Sequence, residues 1–324
     1  MRRRGADYPF PPEQEFSMKA VFIDANPTLA AVARRLHQPG DPELVINAQP
    51  DITPPQIPAV LGDAQIAIID HTHLPVDIAR ACKGLKHVVF LGTGARSYMD
   101  PEALAELGIE VHIIKGYGDT AVAECAFALM WAGAKRLTRM DRGMRAGNWL
   151  RTDVMQLTGK TLGLIGFGGI AAELARLAQG VGMKVVAWNR SAKSHPGVEF
   201  VGLGTLLADS DVVSLHLLLT DETRGFLDAA RLASLRDGAI LINTARGALV
   251  DEAAMIAALK SGKLGHAGLD VFDVEPMPAQ HPLYELDNVT LSAHSAFRTP
   301  EASDNLIQAA LNHCRRVSGQ GVRQ

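Results

Sequence analysis

Cysteine is scarce: Cys82, Cys125 and Cys314 stand far apart in a chain of 324 residues. So odd and scattered a set excludes a disulfide framework and a zinc ribbon, and it fits a reducing, cytoplasmic setting. A basic surplus is missing too. Lys plus Arg number 32 against 35 for Asp plus Glu, a net charge of −3, which argues against nucleic acid as a partner. No run of about 18 apolar residues occurs, so no membrane span is expected. There is no repeat with a period of roughly 20–50 residues. Neither a G-x-S-x-G elbow nor a P-loop lysine is present, which sets hydrolase and NTPase readings aside. The opening MRRRGADYPFPPEQEFS has a basic start but no apolar segment of the kind an export signal needs. Residues 1–17 read as a disordered tail, or as an over-long start before Met18, rather than as a basic arm.

What is present is ordinary for a globular protein: 47% hydrophobic and 21% charged residues. At roughly 150 residues per domain, the length suggests two domains. Such a chain hides roughly three quarters of its unfolded surface and needs no metal or disulfide to fold. KAVFID, AQIAIID, KHVVFLG and IEVHII are continuous apolar, β-branched runs, the mark of strands buried on both faces. Helical segments opening near Pro75 and Pro101 lie between them. One long helix is expected from about Thr120 to Arg145. A second series of strands follows: TLGLIG, KVVAWN, DVVSLHL, AILINT, HAGLDV and NVTLSA. A last helix is expected from Pro300 to about Ser318. The alternation predicts an α/β fold of two parallel-sheet units with a boundary near residues 115–120.

TLGLIGFGGIA fills the G-x-G-x-x-G/A pattern with Gly166, Gly168 and Ala171. Gly166 permits a tight turn, Gly168 lets the backbone approach a pyrophosphate, and a small third residue lets helix pack on strand. The helix N-terminus then offers free N–H groups to phosphate. The pattern follows an apolar strand and opens a helix, the context that points to dinucleotide binding. After KVVAWN, where an NAD site places an acid against the ribose, this chain has Asn189, Arg190 and Ser191. Without a carboxylate to repel a 2′-phosphate, and with an arginine beside it, the loop favours NADP. The rival reading is a solvated arginine with NAD held by Asn189.

Three polar residues follow strand ends, where ligands bind in open α/β sheets: Arg246 after AILINT, Glu275 after HAGLDV and His294 after NVTL. The set suits hydride transfer at a carbon next to a carboxylate. His294 would exchange the hydroxyl proton, Glu275 would fix its tautomer, and Arg246 would bind the carboxylate. Taken singly, each has an ordinary alternative: a structural ion pair, a turn, a surface or core histidine. His71 and His73, at i and i+2 on a strand end, point opposite ways with no third ligand near in sequence. No metal is expected there or elsewhere.

GFGGIA, SLHLLLTDETRGFL, GAILINTARGALVDEAAMIAALKSG, HAGLDVFDVEP, HPLYELDNVTLSAH and the earlier TAVAECAFALM resemble the D-isomer-specific 2-hydroxyacid dehydrogenase family, in that family's order, from about Gly92 to Pro300. The resemblance implies two Rossmann-like, doubly wound parallel-sheet domains with the active site in the cleft between them. A substrate-binding domain would comprise 18–116 and 298–324, and a dinucleotide-binding domain 117–297. It implies catalytic roles for Arg246, Glu275 and His294, and a nicotinamide-carboxamide contact for Asp270. LGTGA looks like the carboxylate-binding loop, implying Gly92, Thr93 and Gly94. Further cofactor contacts are implied for Phe167, Gly169 and Ile170, for His216 and Leu217 at the adenosine edge, and for Thr223, Thr244 and Ala245, with Arg246 and His294 touching cofactor and substrate alike. A homodimer is implied as well.

The departures are Leu218 and Ala293 where the family has proline, Phe297 where it has glycine, and Arg96-Ser97 where it has Asp-Asn. Phe297 and Arg96 are expected to reshape the pocket, so no relative's substrate is inherited. The expectation is an NAD(P)-dependent reductase of a small 2-keto acid such as glyoxylate or hydroxypyruvate. A dinucleotide-sensing, corepressor-like protein is the alternative. A methyltransferase would account for the glycine loop alone.

Overall fold

Strands rich in apolar residues assemble into two separate parallel sheets in the computed structural model, which describes residues 18–319. The N-terminal segment read as a tail lies outside the described residues. The chain divides into two units, 18–117 with 303–319, and 118–302.

The first unit runs β1 (Lys19–Phe22), α1 (Pro27–Leu36), β2 (Glu43–Ile46), α2 (Ile57–Leu61), β3 (Ile66–Ile69), α3 (Val76–Ala81), β4 (His87–Phe90), α4 (Pro101–Glu106) and β5 (Glu110–Ile113). Its sheet order, β2-β1-β3-β4-β5 with every pair parallel, is that of a flavodoxin-like doubly wound fold. Alternate residues of β1, with Ile23 just after it, feed two cores. Val21 and Ile23 join the one under α2, α3 and α4; Ala20 and Phe22 join the other. The edge strand β2 was not expected. ELVI is half-exposed in strict alternation, too short and too polar at its flanks to stand out from a loop.

The second unit continues with α5 (Asp119–Ala134), α6 (Leu137–Arg145), β6 (Thr161–Ile165), α7 (Gly169–Gly180), β7 (Lys184–Trp188), β8 (Val198–Phe200), α8 (Leu203–Asp209), β9 (Val212–Leu215), α9 (Ala229–Ser234), β10 (Ala239–Asn243), α10 (Glu252–Ser261), β11 (Leu264–Leu269) and β12 (Val289–Leu291). The order β12-β11-β10-β9-β6-β7-β8, numbered from the unit's own first strand, is 7-6-5-4-1-2-3. It contains the Rossmann order and adds one strand. Helices α5 and α7 cover one face, while α8, α9 and α10 cover the other. The single helix expected over 120–145 is two helices. Arg136 takes a left-handed conformation, φ 49°, and breaks the hydrogen-bond ladder between α5 and α6. Finally α11 (Pro300–Val317), from Ser303 onward, belongs to the first unit. There Leu306, Ile307, Ala310 and Leu311 pack beside α1 on the second core. Arg315, 2% exposed, closes it with two hydrogen bonds to Asp41, at 2.8 and 2.6 Å.

His266 of β11 is 3% exposed and lies against Gly133 of α5, with Nε2 2.9 Å from Thr290 Oγ1. Burial, with Arg136 and Arg142 adding repulsion, pushes its imidazole down to about 4. The unfolded chain therefore takes up a proton below about pH 6.5 that the folded chain refuses. This contribution is intact above pH 6.5 and is lost as pH falls toward 4, by about 3 kcal/mol at most. Denaturant melts of wild type and His266→Gln between pH 7 and 4.5 check this. The variant should show the shallower pH slope; equal slopes would remove His266 as the source.

Candidate active site

The turn from β6 into α7 requires glycine for reasons the structure separates. Gly166 has φ 85°, and a Cβ there would meet the His216 carbonyl oxygen at 2.6 Å. At Gly168, the N-cap of α7, no side chain caps the helix and a Cβ would meet nothing within 4 Å. The protein itself does not exclude a side chain there. A side chain there would instead take up the room by which a phosphate could approach the exposed helix N–H groups. Gly169 is different again, because the Asp119 carboxylate occupies the place of its Cβ. Burial, with Glu173 nearby, raises the Asp119 carboxyl above its usual range. Asp119 went unnoticed in the sequence, since nothing local joins residues 119 and 169. Ala171 is fully buried where α7 meets the sheet, Ile170 is half-buried, and the Phe167 ring packs on His195 and Phe200.

Asn189, after β7, binds back to the same turn. Its Oδ1 accepts from Phe167 N at 3.1 Å, while Nδ2 donates to Ser191 O and Oγ at 2.9 and 3.0 Å. Arg190 is exposed; the Thr220 hydroxyl, with Arg190 adding a smaller attraction, holds the nearby Glu222 carboxyl below its usual range. Lys193, not singled out in the sequence, donates to Phe167 O at 2.5 Å and brings a cation to the glycine turn. At the sheet's switch point between β6 and β9, His216 N donates to Ile165 O at 2.8 Å. The Nε2 atom of His216 is buried with no partner among the described residues, and burial pushes the ring down to about 4. An orphaned buried nitrogen, an uncapped helix start and a side-chain-free Gly168 together fit a dinucleotide. Leu217 packs close to Gly166. Thr223 closes its own turn instead, donating to Leu218 O at 2.6 Å and accepting from Thr220 N at 2.7 Å.

The three polar candidates follow three neighbouring strands, β10, β11 and β12. Buried Asn243 at the end of β10 shapes the first loop: Nδ2 donates to Arg246 O at 2.8 Å and Oδ1 accepts from Ala245 N at 3.0 Å. Thr244 is buried in this loop and Ala245 is half-buried. Arg246 is exposed and donates to Ala245 O at 2.6 Å; among the described residues no carboxylate pairs with it. A side chain on Gly247 would overlap the Phe272 backbone, so this loop lies directly against the one that carries Glu275.

Glu275 accepts from Phe272 N at 2.8 Å through Oε1, and Oε2 lies 2.6 Å from His294 Nδ1. An ionised carboxylate only accepts, so Nδ1 carries the hydrogen and Nε2 remains the nitrogen available for chemistry. His294 is left-handed, φ 47°, a strained conformation for histidine that surrounding contacts must hold. Asp270, fully buried, supplies those contacts. Its carbonyl accepts from His294 N at 2.8 Å, and its carboxylate accepts from Ser292 Oγ, from Ser295 N at 3.0 Å and from Ala296 N at 3.0 Å. The role the structure displays for Asp270 is to position the loop that presents His294. Phe297 stands edge-on to the imidazole, with centroids 6.1 Å apart.

In the first unit, the loop after β4 holds Gly92 at φ 154°, exposed Thr93 and half-buried Gly94. The amides of Thr93 and Gly94 have no acceptor among the described residues, so two N–H donors are available there for an anion. Both terminal nitrogens of Arg96 bind Glu102 in an exposed ion pair.

The family model for D-isomer specific 2-hydroxyacid dehydrogenase, NAD binding domain, matches residues 127–296. The chain is 39% identical to the hydroxypyruvate reductase of Thermotoga maritima over 71% of this chain and 77% of that protein. It is 36% identical to the D-3-phosphoglycerate dehydrogenase of Archaeoglobus fulgidus over 74% of this chain, but spans only 47% of that longer relative. A crystal structure of a glyoxylate reductase from Paecilomyes thermophila superposes with a TM-score of 0.82 at 29% identity, covering 95% of this chain and 98% of that one. The protein belongs to the D-isomer specific 2-hydroxyacid dehydrogenase family, with the NAD(P)-linked chemistry of that class. Among the described residues no helix is long and apolar enough to cross a membrane.

Proposed function

We propose that the protein reduces a small 2-keto acid of the glyoxylate or hydroxypyruvate type to the D-2-hydroxy acid, with NADPH as the favoured cofactor. The observation that carries this reading is the Glu275–His294 pair at 2.6 Å, which leaves Nε2 of a conformationally fixed imidazole to serve a carbonyl oxygen. The unit 118–302 binds the dinucleotide, through the turn at Gly166–Ile170 and the loop from Asn189 to Lys193. The unit 18–117 with 303–319 binds substrate, the amides of Thr93 and Gly94 serving its carboxylate. Two copies associate as a homodimer, which sedimentation checks.

Bound NADPH supplies the hydride that reaches C2 of the keto acid. Arg246 holds the substrate carboxylate through charge-assisted hydrogen bonds and polarises the neighbouring carbonyl. His294 Nε2 donates a proton to the carbonyl oxygen as it becomes a hydroxyl, and solvent later restores that proton. Glu275 keeps Nδ1 protonated and stabilises the cationic ring before transfer.

The test is oxidation of NADPH and of NADH by purified protein against a panel of 2-keto acids of increasing side-chain size. Turnover on the small members supports the reading. Tight cofactor binding with no turnover on any acid would favour the sensing alternative. For the NADP preference, Arg190→Asp should shift the NADPH-to-NADH ratio of kcat/KM toward NADH by about 10- to 100-fold, the worth of one charge-assisted phosphate contact. An unchanged ratio would mean that this loop does not read the 2′-phosphate.

A further inference from the structure

Three ligating side chains converge where β4 and β5 begin, on one face of the first sheet. Register pairs His87 with Glu110 and Val89 with His112, so alternation places His87, Glu110 and His112 on that shared face. His112 Nε2 is 3.3 Å from His87 Nδ1, and Glu110 Oε2 is 3.7 Å from each nitrogen. A point equidistant from atoms at these separations lies about 2.1 Å from all three, the bond length of zinc to imidazole nitrogen and to carboxylate oxygen. A third imidazole, His313 of α11, stands with its ring centroid 5.3 Å from that of His112. The two strand imidazoles are mostly buried, with side chains 18% and 13% exposed, whereas Glu110 is 68% exposed. Solvent therefore reaches the cluster from the carboxylate side.

We propose that His87 Nδ1, Glu110 Oε2 and His112 Nε2 form a binding site for a divalent cation of the zinc class, with water in the fourth position and His313 lining it. Two neutral imidazoles at 3.3 Å place a single hydrogen between the facing nitrogens; moving it, by way of water, to the other nitrogen of the same ring keeps both rings neutral and turns both lone pairs to the cation. Burial lowers His87 and His112 and, with Arg316 beside it, His313, the last to about 4. Neutral lone pairs are what a borderline-soft ion requires. The opposing charges are few: Arg316, which donates to His313 Nδ1 at 2.5 Å, and Lys86, next to His87. The site stands at the opposite end of β4 from the Gly92–Gly94 loop. A bound ion there ties the edge strand β5 to β4, so its effect falls on the stability of the first unit.

The experiment uses full-length, tag-free protein stripped with a chelator and titrated with Zn²⁺ against a chromophoric chelator, with Co²⁺ as a spectroscopic substitute. One ion per chain is expected, with the visible bands of four-coordinate cobalt and a rise in melting temperature of about 5 °C at a hundredfold excess over Kd. His112→Ala and Glu110→Gln should each weaken binding at least tenfold and remove the thermal shift. Glu110→Gln, a conservative change at an exposed side chain, keeps the test decisive if His112→Ala misfolds. Zinc uptake that persists unchanged in both variants, or no uptake beyond millimolar affinity in wild type, would overturn the proposal.

Discussion

His294→Ala should lower turnover roughly 10²- to 10⁴-fold, the usual worth of a positioned general acid, while NADPH binding measured by fluorescence titration stays near wild type. The ring contributes through a single free nitrogen, because Glu275 engages the other at 2.6 Å. Alanine tolerates the left-handed backbone at 294 no better than histidine does, so a companion variant separates chemistry from loop geometry. Asparagine enters that conformation more readily than most residues but is no acid at neutral pH. His294→Asn should therefore keep the loop and lose the turnover. If either variant turned over normally, His294 would be removed as the proton donor.

Arg246→Lys should lower kcat/KM by about 10²-fold or more, in the range seen when one preorganised donor is lost. A single ammonium cannot reproduce the planar fork that grips a carboxylate with two parallel hydrogen bonds. The arginine stands ready for such a partner: its loop is fixed by Asn243, and among the described residues no acid pairs with it. A rise in KM should accompany the fall in kcat, since the carboxylate is bound before and during reduction. Near-normal kinetics would count against carboxylate recognition at this position.

Much of this arrangement is legible in the residues themselves. Buried parallel strands declare themselves as unbroken apolar runs, and β3, IAII, is buried at every position. Arg246, Glu275 and His294 stand out because each follows such a run. The features that escape notice share one cause, dependence on tertiary partners. Strands β2 and β8 are short edge strands with half-exposed residues, which a local pattern cannot tell from loop. Arg136 breaks a helix without the glycine or proline that usually marks a stop. Asp119 against Gly169 and the His87–Glu110–His112 cluster are joined only by packing or strand register. No spacing rule within the sequence finds them.

The strand order has a consequence for how the protein can change. The groups assigned to chemistry follow β10, β11 and β12, at one end of the seven-stranded sheet, whereas the groups assigned to nucleotide choice follow β6 and β7, near the other. With neighbouring strands about 4.8 Å apart, a substitution at Arg190 or Lys193 is several strands removed from the Asp270 contacts that hold His294. The two properties lie in separate, contiguous stretches of the gene. Cofactor choice can drift, or be recombined from a relative, without rebuilding the proton-transfer machinery. Phe297, edge-on to the imidazole, belongs to neither stretch's charged groups, and one codon there alters the room beside the ring.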